Sequence, residues 1–221
     1  LKRYEFDLKL INEKRPHILD ANTEKLLTEA QDALSTPSNV YGMFSNADLE
    51  FEDAIDKDGQ AYPLTQGTFI KYLESDDREL RASAFRNVYK AYGAHNNTLG
   101  ATLAGEVKKN VFNARTHHYR SARERALSNN HIPEAVYDNL IKTVHKYLPL
   151  LHRYTKLRQE LLGLDDLKMY DLYTPLVKDV KFEMPYEEAK SWMLKALEPM
   201  GEEYLNVVKE GLDNRWAVSY T

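Results

Sequence analysis

HRYTKLRQELLGLDDLKMYDLYTPL, residues 152–176, holds the transition on which the fold turns. Its first half places Tyr154, Leu157 and Leu161 on one helical surface, since residues three and four apart are neighbours on a helix. Gly163 suits the helix C-terminus, because glycine enters the left-handed conformation found there without steric cost. A short acidic turn follows, then Tyr170-Asp171-Leu172-Tyr173-Thr174-Pro175-Leu176. Pro175 biases Thr174 toward extended geometry, so the aromatic segment does not continue the helix. The stretch reads as a helix, a turn and an anchored loop.

Working outward, the apolar spacing is helical over most of the chain. Asp20 is placed to cap a helix carrying Leu26, Leu27, Ala30, Ala33 and Leu34, and Pro37 to Asn39 breaks that pattern. Leu49 and Phe51 lie on one side of Asp56-Lys57-Asp58-Gly59, with Tyr62 and Leu64 on the other, which predicts a small β-hairpin near 48–64. Thr65 can cap a short helix from Gln66 to about Glu74, and Ser75 or Asp76 the next. A register of four runs through Leu80, Ala84 and Val88 and resumes at Leu99, Leu103, Val107 and Val111, with a bend expected at Tyr92-Gly93. Pro133 opens a helix carrying Val136, Leu140, Val144, Leu148 and Leu151, with Pro149 inside it as a kink. A last helix begins near Pro185, carries Ala189, Met193, Ala196, Leu197, Met200, Tyr204 and Val208, and is expected to bend at Pro199. The fold class is mainly α, with long, partly kinked amphipathic helices and one hairpin.

Composition narrows the function. A chain of 221 residues with 43% hydrophobic content can bury a substantial core. A formal charge of −4 gives no general electrostatic reason to bind nucleic acid or an anionic membrane. Zero cysteines exclude a disulfide framework, a thiolate metal site and a cysteine nucleophile, and fit a reducing cytoplasm. Phosphate-binding glycine loops and Gly-x-Ser-x-Gly elbows are absent.

Several local patterns have competing readings. Asp56-Lys57-Asp58-Gly59 looks like part of a calcium loop, but the first ligand position of that frame holds Ala54 and the twelfth holds Thr65, so a hairpin turn is the better reading. His145 and His152 share a helical face but stand ~10 Å apart along the axis, too far for one zinc ion. His117 and His118 are adjacent and would diverge on a helix; solvated or core-edge histidines are expected. Lys108, Lys109, Arg115, Arg120, Arg123 and Arg125 make 108–125 basic. That face is either a wall for a peptide carboxylate, a nucleic-acid surface with Tyr119 as stacking partner, or a solvated face with local ion pairs; the last is favoured.

Read as ordered strings, these segments say more. Residues 152–176 closely resemble the middle of the oligoendopeptidase F family, zinc metallopeptidases of the thimet-oligopeptidase-like group. The likeness extends to Asn46 through Phe51, Asp56 through Gly59 with Leu64-Thr65, and Ser75 through Phe85 (SDDRELRASAF). It continues at Tyr119-Arg120-Ser121-Ala122, Ala126-Leu127, Asn130, Ile132 and Tyr137. His117-His118 departs from the pattern, where a small or basic pair is expected.

The resemblance implies a helical body cleft by a deep peptide channel, with residues 1–75 ending the N-terminal region and 76–221 opening the catalytic region. It implies oligopeptide substrates and attack by a zinc-activated water. The family's His-Glu-x-x-His is absent: none of the seven histidines is followed by Glu and then by His at the fourth position. The chain is therefore expected to be an internal fragment that binds no zinc itself, has no catalytic residue of its own, and shows no peptidase activity alone. Within such a channel, Tyr119, Arg120, Tyr170 and Tyr173 are the candidate substrate contacts. Asp171 either orients a catalytic neighbour or satisfies loop amides, and the two tyrosines of its loop either line the channel or pack in the core. Apolar residues in Arg3–Ile18 (Tyr4, Phe6, Leu8, Leu10, Ile11) and in Leu205–Tyr220 (Val207, Val208, Leu212, Trp216) are expected to lie exposed and to promote self-association. The alternative is a stand-alone helical module that binds a partner peptide without catalysis.

Overall fold

A computed structural model describes residues 2–177, 184–214 and 216. The described chain forms two compact units, residues 1–176 and 177–221.

The first unit is helical except for one hairpin. Helix α1 (Glu5–Lys14) runs into a short 3-10 turn at Arg15–His17. Helix α2 (Ala21–Leu34) starts where Asp20 accepts hydrogen bonds from the amides of Asn22 and Thr23, as its position predicts. The apolar pattern breaks after Leu34, but Pro37 does not prolong the break. It sits in the opening turn of a new helix, α3 (Thr36–Met43), where its missing N–H costs nothing. Helix α3 packs on α6 (Asn96–Thr116) at Gly105, where a Cβ would lie 2.7 Å from the Pro37 ring. A single π-type turn, Phe44–Asp48, leads into the hairpin.

The hairpin pairs β1 (Ala54–Ile55) with β2 (Ala61–Tyr62), antiparallel, Ala54 opposite Tyr62 and Ile55 opposite Ala61. Asp56 organises the turn: its carboxylate accepts from the amides of Asp58 and Gln60 and from the Tyr62 hydroxyl, and Gly59 supplies the positive φ of 84°. Those bonds, led by the Gln60 amide, hold the Asp56 carboxyl below its ordinary value. The carboxylate that a calcium loop would need is thus engaged in a turn.

Helix α4 (Gln66–Leu73) begins with a reciprocal cap between Thr65 and Thr68. Asp77, rather than Ser75 or Asp76, caps α5 (Arg78–Gly93); it accepts from Glu79 and Leu80 amides, while the Ser75 hydroxyl accepts from the Asp77 amide. The core sits between the hairpin and α5: Ala54, Leu64, Leu80, Ala84 and Val88 are buried, flanked by Phe51, Tyr62, Phe69, Tyr72 and Tyr92. Helix α5 also sutures the strand. The Ser83 hydroxyl accepts from the Ile55 amide at 2.7 Å and donates to the Ile55 carbonyl at 2.8 Å, and Asn87 donates to the carbonyls of Glu52 and Asp53. Beyond Gly93 the chain is broken rather than bent. Ala94 and His95 close α5 before α6 starts at Asn96, because Gly93 and the turn bonds Ala94 N to Lys90 O and His95 N to Tyr92 O end the ladder.

Helix α7 (Ala122–Ser128) is capped by the Ser121 hydroxyl. Helix α8 (Glu134–Leu162) continues through Pro149 and ends at Gly163 with φ 65°. Its apolar stripe, including Val136, Leu140, Val144, Leu151, Leu157 and Leu161, is exposed. Exposure also holds for Tyr4, Phe6, Leu8 and Ile11 of the first segment, while Leu10 is half-buried.

In the second unit, Pro185 precedes α9 (Tyr186–Ala196). The expected single bent helix is instead two helices. Pro199 sits in a 3-10 turn, Glu198–Met200, and Gly201 at φ 90° turns the chain into α10 (Glu202–Asp213), so the backbone reverses where no other residue type is unstrained. Lys190 pairs with Asp213 across the two helices. Trp216 lies against Gly211, where a Cβ would meet the ring at 2.9 Å. Val207 and Trp216 are exposed and Leu212 is buried; Arg215 and residues 217–221 of the terminal segment lie outside the described residues.

Ser83→Ala should destabilise the first unit by about 1–2 kcal/mol, because it removes the hydroxyl that serves both Ile55 backbone groups. Thermal unfolding followed by circular dichroism checks this; an unchanged midpoint would show that the α5–strand suture contributes nothing.

Candidate functional site

Three arginines and one aspartate form a largely buried polar cluster. Arg78 and Arg81, three residues apart at the start of α5, project from one helical face toward the loop after α8. Arg78 holds the Asp171 carboxylate through two atoms, Nε at 3.2 Å and Nη2 at 3.0 Å, and also donates to the Asp166 carbonyl at 2.8 Å. Arg81 donates to the same carboxylate at 2.8 Å and, through its other nitrogen, to the carbonyls of Ser75 and Asp76. The Lys168 amide completes the set at 3.0 Å. From the other side Arg158 of α8 donates to the Asp171 and Thr174 carbonyls at 3.3 and 2.5 Å and to the Tyr154 hydroxyl at 3.1 Å. Asp171 is wholly buried, in the 3-10 turn Met169–Asp171.

Burial pushes the Asp171 carboxyl up, but the hydrogen bonds from Arg78, Arg81 and the Lys168 amide outweigh it and hold the group below its ordinary value of 3.8. The polar cluster is not fully satisfied: Arg81 Nε, Arg158 Nε and Thr174 Oγ1 are buried without a hydrogen-bond partner among the described residues. Each such atom costs roughly 1–3 kcal/mol.

The geometry shows how each residue of the loop is held. Asp171 serves backbone and guanidinium groups, so it anchors. Tyr170 packs, with Arg78 over its ring at 5.5 Å and Phe85 edge-on at 5.9 Å. Tyr173 is 52% exposed.

Tyr119 and Arg120 join other partners. The Tyr119 ring stacks on His17 at 3.6 Å, 5° from parallel, and His17 Nδ1 lies 2.8 Å from the His117 carbonyl. His117 and His118 lie just past the end of α6, not on a helix; His118 takes φ 61° and His117 Nδ1 contacts the Asn113 carbonyl. Phe6, Leu10, His17, Tyr119 and His131 line a groove of about 370 Å³ beside α1. Arg120 pairs with Glu124 and Glu134, and Arg123 with Glu134 and Asp138. These are local ion pairs on a solvated face; Lys109 also pairs with Glu106, with its side chain largely covered. No group of three or more metal-ligating side chains forms among the described residues.

Sequence reading did not single out Arg78, Arg81 and Arg158. The signal was present: two arginines three apart at the start of one helix, and an arginine four residues after Tyr154 on the helix preceding the aromatic loop.

The chain matches the model described as peptidase family M3 over residues 71–212, and the one described as oligopeptidase F over residues 1–51. It belongs to peptidase family M3. Oligopeptidase PepF of Bacillus subtilis is 53% identical over 220 residues, and group B oligopeptidase PepB of Streptococcus agalactiae is 43% identical over 98% of the chain. The crystal structure of oligoendopeptidase-F from Enterococcus faecium superposes with a TM-score of 0.76 at 42% identity, covering 96% of this chain and 40% of that one. The chain spans about a third of the length of these curated relatives, 33% and 36%. The M3 range contains Arg78, Arg81, Arg158 and Asp171 together. Among the described residues no helix is long and apolar enough to cross a membrane.

Because the Asp171 carboxyl ionises more readily folded than unfolded, it stabilises the fold above the ordinary aspartate value, and that contribution is lost as pH falls from there through the folded-state value. Stability of the wild type should therefore decline on acidification below about pH 4, and its margin over Asp171→Asn should shrink across the same window. Denaturant unfolding at a series of pH values measures both; a margin that stays constant into acid would contradict the assignment.

Proposed function

We propose that this chain is a segment of a cytoplasmic, zinc-dependent oligoendopeptidase that hydrolyses internal bonds of short peptides, and that the segment itself supplies scaffold and channel wall. The observation that carries the reading is the end-to-end likeness to Oligopeptidase PepF, with the two family ranges in the same chain order. Those ranges, 1–51 and 71–212, support a division near residue 75 between an N-terminal region and the opening of the catalytic region.

Zinc does not fit the residues described here. His17 and His117 are turned to backbone carbonyls, His131 to Glu13, and His145 and His152 stand exposed two turns apart on α8. The metal ligands are assigned to the part of the relatives' length that this chain does not span, and no step is routed through them here. Oligopeptides are the proposed partners, the reading that membership of the peptidase family supports. Tyr173 is the candidate substrate contact that stays exposed and anchored together.

The full-length gene product should cleave a quenched peptide of bradykinin length, lose activity to a chelator, and regain it with zinc; the 221-residue segment alone should cleave nothing and self-associate through exposed faces such as that of α8. Peptide cleavage and sedimentation measure these. Activity that survives exhaustive chelation, or cleavage by the purified segment, would overturn the reading, and a strictly monomeric segment at high concentration would overturn the association.

A further inference from the structure

We propose that Asp171 is a positioning residue that acts through Tyr173, fixing this ring as a peptide-contacting platform; the inference rests on the peptidase reading above. Tyr173 sits two residues beyond a carboxylate that is gripped by Arg78 and Arg81 from α5, and one residue before a carbonyl gripped by Arg158 from α8. The backbone on both sides of the ring is thus tied to two different helices. Pro175 fixes a further backbone angle immediately downstream. Of the two loop tyrosines, Tyr170 is consumed by packing against Arg78 and Phe85, while Tyr173 projects from the most constrained stretch of the loop and remains half in solvent.

Stability alone does not account for this arrangement. Two guanidinium groups converge on one carboxylate and a third on the carbonyls beside it; two of the three are at least nine-tenths buried, and three polar atoms are left unpartnered among the described residues. A well-packed apolar joint would hold the loop at lower cost, since buried ion clusters are often no more stable than their hydrophobic replacements. What the polar joint adds is directionality. Bonds to both carboxylate oxygens, a bound amide and two bound carbonyls define one pose of the turn, and a side chain ordered before binding loses little freedom when a ligand meets it. A tyrosine so held offers a flat apolar face and a hydroxyl, which suits an extended peptide whose apolar side chain stacks while its backbone hydrogen-bonds. The occupant is therefore an oligopeptide rather than a charged small molecule, because the positive charge of the cluster is turned inward on Asp171 and the loop carbonyls.

The test is a double-mutant cycle on the full-length enzyme, read as KM and kcat with a quenched oligopeptide. Tyr173→Ala should raise KM about fivefold, the size of one aromatic contact, with kcat within about twofold and the thermal midpoint unchanged. Asp171→Asn should raise KM by a similar factor, and Asp171→Glu should not restore it, because a longer arm displaces the turn. Combining Asp171→Asn with Tyr173→Ala should add almost nothing to either, since residues acting as one unit are not additive. Should Asp171→Asn fail to fold, Arg78→Lys takes its place in the cycle: it keeps the charge and loses the two-atom grip. Independent effects multiplying to about 25-fold would overturn the positioning role, as would an unchanged KM in Tyr173→Ala. Absence of hydrolysis by the wild-type enzyme would overturn the peptidase reading itself, and the proposal with it.

Discussion

One buried carboxylate ties the start of α5 to the loop after α8. Asp171 has no solvent to ionise into, and it stays charged only because Arg78, Arg81 and the Lys168 amide surround it. Arg81 carries that constraint onward to the Ser75 and Asp76 carbonyls, so the turn between α4 and α5 and the loop after α8 are tied by a single side chain. Arg158 closes the arrangement from α8. Removing the carboxylate would leave the Arg81 guanidinium buried without its counter-charge, a strongly destabilising defect. The pose of the loop held between α5 and α8 therefore depends on one residue.

The elements that local chemistry specifies were legible in the sequence. Caps at Asp20 and Thr65, the stop at Gly163 and the helical spacing on α5, α6 and α8 rest on residues within one turn of each other, and all appear. The departures lie where two local signals compete. Ser75, Asp76 and Asp77 are all good caps, and Asp77 prevails because its second oxygen also receives the Lys57 amide from the hairpin turn, a tertiary contact 20 residues away. Pro199 reads as a bend, but with Gly201 two residues later the chain can reverse outright. Pro37 reads as a breaker, yet its contact with Gly105 of α6 rewards the helix it opens.

The candidate site was half legible. Aromatic and acidic residues closed by proline mark an anchored loop, and that much follows from composition. Which residue anchors and which is presented does not, because the deciding partners are 90 and 93 residues upstream, at Arg81 and Arg78. The histidines show the same limit in reverse: His17 and His131 look like scattered donors along the chain, and tertiary structure turns them to the His117 carbonyl and the Glu13 carboxylate. Membership of peptidase family M3 gives these contacts a setting, since the ranges shared with relatives include both helices and the loop.

Asp171 locks its loop to α5, and Arg158 ties the same loop to α8. Residue-resolved hydrogen exchange tests this lock most directly, because the Lys168 amide donates to the carboxylate itself and the Asp171 amide to the Lys168 carbonyl. A locked loop predicts that these two amides exchange as slowly as those in the middle of α5, through the same cooperative opening. Exchange of both at the rate of an open, solvated turn, while α5 stays protected, would contradict the claim.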